Sequence, residues 1–360
     1  MRRIQKIAFV TGSMAAGGAE RVIATLSNAF ACSGIEVIIY CIGKTSQDAA
    51  YEYNPKVKII GIHSGSHCYI IRKITQLSCL RSMIKSFMPD SIIAFQDYIN
   101  IQTIIACYGL GIPITISVRT YPVIASTFIK MSTRFFYKFA NAAVFQTSEQ
   151  QNFYKACKKR KDITILNPFD TSKVSVTGTI SKNNQIVAVG RLTYAKNFQL
   201  LLRAFHLISK DYPELKLIII GEGEKRSELE HIRAELGLEQ RICISGVKAN
   251  VFDYIAGARI FVMTSLYEGL PNALIEALCL GVPCISTRFS GGGAETLIQD
   301  CENGLLVTND NCEALADAMR HLLSNNELAH YISENAKTII KRVDSHKIMS
   351  EWLDLLEGLL

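Results

Sequence analysis

The eleven cysteines include no Cys-x-x-Cys pair, and their scattered spacing excludes both a disulfide framework and a zinc site. They sit in apolar contexts such as Leu-Cys279-Leu and Pro-Cys284-Ile, as reduced core thiols of a cytosolic protein do. Neither Gly-x-Gly-x-x-Gly nor the full Gly-x-x-x-x-Gly-Lys-Ser/Thr pattern occurs, since Gly43-Lys44-Thr45 has Ile38 where the first glycine would stand, which removes the dinucleotide fingerprint and the P-loop. No signal peptide is expected: Met1–Gly12 starts basic, but its short apolar run ends in a Gly-rich loop instead of a cleavage site. No charge falls between Asp97 and Arg119, yet Gly109, Gly111 and Pro113 interrupt that stretch. It reads as a buried helix followed by a buried strand and not as a membrane span.

What remains is an ordinary globular composition, 49% hydrophobic and 20% charged over 360 residues, enough for two α/β domains and no disordered tail. The charge is unevenly spread. Residues 1–167 carry 20 Lys and Arg against 8 Asp and Glu, a balance of +12. Residues 168–360 carry 19 against 24, a balance of −5, and the two sum to the chain's +7. Such asymmetry points one half toward an anionic partner: a phospholipid surface, a polyprenyl diphosphate or nucleic acid.

Apolar runs alternate with helical patterns throughout, which predicts parallel sheets. Strands are expected at Ile4–Thr11, Glu36–Ile42, Val57–Ile62, Ser91–Phe95, Ile114–Val118, Asn141–Thr147 and Ile163–Leu166. A second series is expected at Gln185–Val189, Lys216–Ile220, Ile242–Ser245, Ile260–Met263 and Cys284–Ser286. Between them, the polar stretch Lys173–Asn184 is the best linker candidate. The division is therefore 1–168, 169–344 and a last helix, 345–360, that packs back toward the N-terminal domain. Ligands of doubly wound sheets bind outside the carboxyl ends of the strands.

Three elements there could carry chemistry. In Leu266-Tyr-Glu268-Gly-Leu-Pro271-Asn-Ala-Leu-Ile-Glu276, Pro271 marks a helix start and Glu276 lies about one turn inside the helix. Two carboxylates thus flank a helix N-terminus, which suits a ligand with hydroxyls at both ends and a diphosphate between them. The alternative is a pair of ordinary capping and surface acids. Gly190-Arg191-Leu-Thr-Tyr-Ala-Lys196-Asn197 offers a guanidinium fork and a point charge, a sensible pair for a diphosphate, unless both are merely solvated. Gly12-Ser-Met-Ala-Ala-Gly17-Gly18-Ala-Glu20-Arg21 permits close backbone approach to a phosphate but is a weak signal alone.

Taken together, these elements resemble the retaining glycosyltransferases of family four, which have the GT-B fold. Asn167-Pro168, Gly221-Glu-Gly223, Gly246-Val247 and Ser290-Gly-Gly-Gly293-Ala-Glu295 extend the resemblance over nearly the whole chain. The resemblance implies two Rossmann-like domains facing a cleft and a nucleotide-sugar donor, usually a UDP-sugar carrying a hexose or N-acetylhexosamine. It assigns Arg191 and Lys196 to the donor diphosphate, Glu268 to the donor sugar and Glu276 to the ribose hydroxyls. Gly269, Leu270 and Asn272 would cradle the phosphates, Val247 would lie by the base, and Gly17 and Gly18 would close from the N-terminal side. Asp-x-Asp is missing, so no divalent metal or other cofactor is expected. The chain departs from the family where many members carry a histidine: it has Ser117-Val-Arg119 instead. Arg119 either contacts the donor sugar or an acceptor phosphate, or pairs structurally with Asp97 or Glu20.

The basic half concentrates its cations on two helical segments. Tyr69–Phe87 places Ile70, Ile74, Leu77, Leu80 and Ile84 on one side, with Arg72 and Lys73 elsewhere. Thr127–Phe139 combines Lys130, Arg134 and Lys138 with several aromatics, and Lys155, Lys158, Lys159, Arg160 and Lys161 form a further cluster. Either the apolar faces pack on the sheet and the cations are solvated, or this is a peripheral membrane face admitting a lipid-linked glycan acceptor. No nucleic-acid motif accompanies the charge. The resemblance thus implies a cytoplasmic transferase at the inner membrane face, in surface polysaccharide or lipopolysaccharide biosynthesis. A non-catalytic relative would have lost Glu268, Glu276, Arg191 or Lys196, and no epimerase or phosphorylase motif is present.

Overall fold

The computed structural model describes residues 3–360 except 16, 44–48, 122–125, 155–159, 172, 173 and 175–182. Most of the expected linker, and Lys155, Lys158 and Lys159, lie outside the described residues. The chain divides into two compact units, Met1–Pro168 with Asp344–Leu360, and Phe169–Val343.

The first unit is built on seven parallel strands: β1 (Lys6–Thr11), β2 (Glu36–Cys41), β3 (Lys58–Gly61), β4 (Ser91–Phe95), β5 (Ile114–Ser117), β6 (Ala142–Phe145) and β7 (Lys161–Thr164), in the order β3-β2-β1-β4-β5-β6-β7. Alternation along β1 sends Ile7 and Phe9 to one face and Ala8 and Val10 to the other, and both faces are buried. The Gly18–Cys32 helix covers the first face through Val22, Leu26 and Phe30. Beside it lies the Ser345–Glu357 helix, entered through Asp344, whose carboxylate accepts from the amides of His346 (3.0 Å) and Lys347 (3.1 Å). The fully buried Trp352 stacks at 6.2 Å on Phe95, which meets Phe9 at 6.0 Å, and Phe9 meets Phe30 at 6.1 Å. The opposite face is covered by the second half of the Tyr69–Phe87 helix, where Leu80 and Ile84 are buried, and by the Asp97–Cys107 helix.

The second unit has six parallel strands: β8 (Gln185–Val189), β9 (Lys216–Ile220), β10 (Ile242–Ile244), β11 (Ile260–Met263), β12 (Cys284–Thr287) and β13 (Leu305–Val307), ordered β10-β9-β8-β11-β12-β13. Helices Phe198–Ile208 and Cys312–Ser324 bury Leu201, Phe205, Leu315 and Met319 against one face of this sheet. The Asn272–Cys279 helix buries Leu274, Ile275 and Leu278.

Four expectations need correction. β13, the short apolar run Leu305–Val307, was not among the expected strands. β7 lies two residues earlier than expected, so Lys161 is strand, and Arg160 is no part of a solvated cluster. Arg160 is buried, with its guanidinium on Asp162 and on the carbonyls of Tyr137 and Tyr154. The ten described cysteines form no disulfide and Cys279 and Cys284 are buried, but Cys32, Cys68, Cys243 and Cys301 are exposed. Finally, Ile70 and Ile74 do not join Leu80 and Ile84 in the core: residues 69–75 of their helix are exposed or half-buried, and burial begins only at Gln76. Among the described residues, no helix is long and apolar enough to cross a membrane.

Because Trp352 closes the aromatic stack, Trp352→Ala should destabilise the first unit by about 3–5 kcal/mol. A lowered urea midpoint in far-UV circular dichroism checks this; an unchanged midpoint would show that the final helix is not part of the core.

Candidate active site

In the second sheet, β8 has β9 on one side and β11 on the other. The chain leaves β8 in one direction first and returns to its other flank later, which opens a crevice between the loops after β8 and β11. The loop after β8 is held from beneath by backbone: Gly190 N–H donates to the Ile220 carbonyl (3.0 Å) and Leu192 N–H to the Glu222 carbonyl (2.8 Å). A Cβ at Gly221 would overlap the Gly190 oxygen, and one at Gly223 the Leu192 oxygen. Glycine is required there by close approach of two chains. Leu192 and Phe198 are buried at either end of the loop, leaving Arg191 exposed.

The loop then turns through Tyr194–Lys196 and enters its helix at Asn197, in a left-handed conformation (φ 46°). Lys196 is fixed from both ends. Its carbonyl accepts from Thr264 Oγ1 (2.9 Å), and its ammonium forms an ion pair with Glu268. The Glu268 carboxylate also accepts from Ser265 Oγ (3.0 Å). Ser265 is itself buried, and its carbonyl accepts from Thr287 Oγ1 on β12 (2.7 Å). Glu268 N–H donates to the Ser290 carbonyl (3.2 Å). Lys196 and Glu268 thus meet across the crevice, one from each loop.

Directly after Glu268 the chain enters the Asn272–Cys279 helix, with Pro271 at the cap position in extended backbone and no side-chain cap. Glu276 is buried in this helix, so it is no surface acid. Gly269, Leu270 and Asn272 lie between the two carboxylates, at the positive end of the helix dipole. The Gly269 carbonyl oxygen lies where a Cβ on Gly293 would stand. After β10, Gly246 takes φ 71° and its carbonyl accepts from Gly221 N–H (3.0 Å). Val247 beyond it is exposed, an apolar surface at the same sheet edge.

The first unit holds the remaining candidates. Gly17 and Gly18 begin the helix that follows β1. Tyr51 Oη donates to the Gly17 carbonyl (3.0 Å), and a Cβ on Gly17 would overlap the Glu20 carboxylate. Arg119 pairs with neither Asp97 nor Glu20. Asp97 accepts from Tyr137 Oη (2.7 Å) and Thr120 Oγ1 (2.9 Å), and burial raises its pKa. Glu20 accepts from Gln96 Nε2 (2.9 Å). Arg119 instead donates to Asn167 Oδ1 (2.5 Å), which also accepts from Gln146 (2.8 Å), and its guanidinium lies 4.5 Å from the Phe95 ring centroid. Its Nε is sealed from solvent without a hydrogen-bond partner. Burial pulls its pKa down to about 9, so it stays a cation at neutral pH.

Comparison with known proteins gives this geometry a context. The family description "Glycosyl transferases group 1" matches residues 171–339. A Campylobacter jejuni enzyme, GalNAc-alpha-(1->4)-GalNAc-alpha-(1->3)-diNAcBac-PP-undecaprenol alpha-1,4-N-acetyl-D-galactosaminyltransferase, is 31% identical and aligns over 98% of each chain. The chain is a glycosyltransferase of family four. The amylovoran biosynthesis glycosyltransferase AmsD of Erwinia amylovora is 25% identical over 96% of this glycosyltransferase and 98% of its own length. The crystal structure of Anabaena HepE in complex with UDP and glucose shares the fold, GT-B, with TM-score 0.82 at 18% identity, covering 98% and 100% of the two chains.

Sequence reasoning missed Thr264 and Ser265, the hydroxyls that hold Lys196 and Glu268. Their only signal is two small polar residues directly after a buried strand. It also missed Phe95 and Gln146 around Arg119, which no spacing announces. Because Arg119 stays charged with no carboxylate partner among the described residues, Arg119→Met should stabilise the unliganded protein, by on the order of 1 kcal/mol. A lowered thermal midpoint would show instead that Arg119 is a structural residue.

Proposed function

We propose that this glycosyltransferase moves a hexose or N-acetylhexosamine from a uridine diphosphate sugar, with retention at the anomeric carbon, to a lipid-linked glycan at the cytoplasmic face of a membrane. The observation that carries the reading is the Lys196–Glu268 pair at the crevice, between exposed Arg191 and the start of the Asn272–Cys279 helix. The costly event in transfer is departure of the diphosphate as the anomeric carbon gains positive charge. Fixed cations and helix amides stabilise the charge growing on the leaving group.

In the resting chain Glu268 occupies Lys196. An arriving diphosphate exchanges one anion for another on that ammonium and frees the Glu268 carboxylate for the sugar hydroxyls. Buried Glu276 takes the ribose hydroxyls, and Val247 flanks the base. Arg191 and Lys196 supply the positive charge, so transfer needs no divalent metal. In the first unit, Gly17, Gly18 and Arg119 are the candidates for contact with a phosphate or with the donor sugar. Relatives support the acceptor class and donor base: the Campylobacter enzyme is named for an undecaprenol-linked glycan and the Anabaena structure contains UDP. Arg72, Lys73, Lys130, Arg134 and Lys138 give the first unit its attraction to an anionic membrane.

A thermal-shift panel of nucleoside diphosphates in EDTA tests the donor reading. UDP at about 100 times its Kd should stabilise the protein by roughly 2.7 kcal/mol. Arg191→Ala and Glu276→Ala should each abolish that shift. A shift that requires a divalent cation sinks metal-independence, and no shift with UDP sinks the donor assignment. Arg119→Met should keep the UDP shift while losing at least 100-fold in transfer; undiminished transfer would remove Arg119 from the site.

A further inference from the structure

The first unit exposes large apolar side chains on three of its helical segments. On the Tyr69–Phe87 helix, Ile70 is 67% and Ile74 62% exposed, beside exposed Tyr69 and Ile71. On the Asp97–Cys107 helix, Tyr98 and Ile105 are seven residues apart and so share one exposed face. On the third segment, Met131 (66%), Phe135 (56%) and Phe139 are exposed at four-residue spacing. These are not scattered singles. The hydroxyls of Tyr69 and Tyr98 lie 3.2 Å apart, joining the first helix to the second. Tyr108 meets Phe139 edge-on at 5.8 Å, and Phe139 meets Phe135 at 5.6 Å, joining the second to the third. A connected apolar surface of this kind marks an interaction site.

Charge decides the partner. Residues 69–87 and 127–139 contain Arg72, Lys73, Arg81, Lys85, Lys130, Arg134 and Lys138 and no acid. A second copy docking on this face would set cation against cation. Lys73 lies 5.7 Å from the Tyr69 ring and 4.9 Å from the Tyr98 ring, and Arg72 lies 5.5 Å from Tyr69. Apolar bodies edged by cations and phenol hydroxyls match the boundary between acyl chains and anionic headgroups. We infer that this ridge inserts into an anionic phospholipid surface, so that apolar burial, and not charge alone, holds the enzyme there. The inference rests on the proposed membrane-borne acceptor and deepens it: attraction that is only electrostatic is reversible by salt, whereas insertion is not.

The test is flotation of the full chain with phosphatidylcholine vesicles, with and without phosphatidylglycerol, at low salt and at about 1 M salt, where the screening length is roughly 3 Å. Wild type should float with anionic vesicles and keep most of that binding at high salt. Ile70→Ser/Ile74→Ser and Met131→Ser/Phe135→Ser should each lose tenfold or more in vesicle affinity, with circular dichroism and the UDP thermal shift unchanged. Trp352 is the chain's single tryptophan and is fully buried, so an Ile74→Trp variant adds one surface reporter. Its emission should shift to the blue with anionic vesicles and be quenched by brominated acyl chains. Binding abolished by salt and indifferent to the serine variants would overturn insertion, as would an unshifted emission. Concentration-dependent dimers broken by the serine variants would assign the ridge to a second copy and overturn the lipid assignment. Loss of the UDP shift with vesicle binding intact would instead sink the transferase reading alone.

Discussion

A parallel sheet wound outward from a middle strand has one place where neighbouring loops run apart, and both units of this chain bridge it with a polar pair. In the second unit the bridge is Lys196 to Glu268, joining the loops after β8 and β11. In the first, Gln96, held at φ 78° after β4, donates to Glu20 in the helix after β1. Each pair spans the crevice at which doubly wound sheets take ligands. Positive φ at a non-glycine residue, as at Gln96 and Asn197, is the kind of local strain that a surrounding structure must hold in place. The two units thus repeat one device with different chemistry: a neutral donor and an acid in one, a full ion pair in the other.

The fold was legible because both sheets announce themselves in apolar runs separated by amphipathic helices. Seven such runs, a break after Pro168 and five more correspond to strands of the structure. What failed is instructive. β13 was missed although the equally short β10 was expected, and Arg160 looked like surface because it stands among lysines. Period alone also read Ile70, Ile74, Leu80 and Ile84 as one face, but period does not say how far along that face the core extends, and burial begins only at Gln76.

At the proposed site, residue types at fixed spacing singled out Arg191, Lys196, Glu268 and Glu276 as candidates. The contact between Lys196 and Glu268 was not legible, since 72 residues separate them and only strand order brings them together. Arg119 was legible as a departure from a family pattern, but its surroundings were not. Stacking on Phe95 and donation to Asn167 come from three separate strands' ends, and the sequence contains no rule linking them.

The return of residues 344–360 to the first unit makes the second unit an insertion within the first. During synthesis, Phe169–Val343 is complete before Trp352, Leu355 and Leu356 have been made. The first unit therefore waits, with Phe9, Phe30 and Phe95 lacking their last partner, while the second can finish. The N-terminal half of this chain is the last to be sealed, which reverses the usual order of vectorial folding.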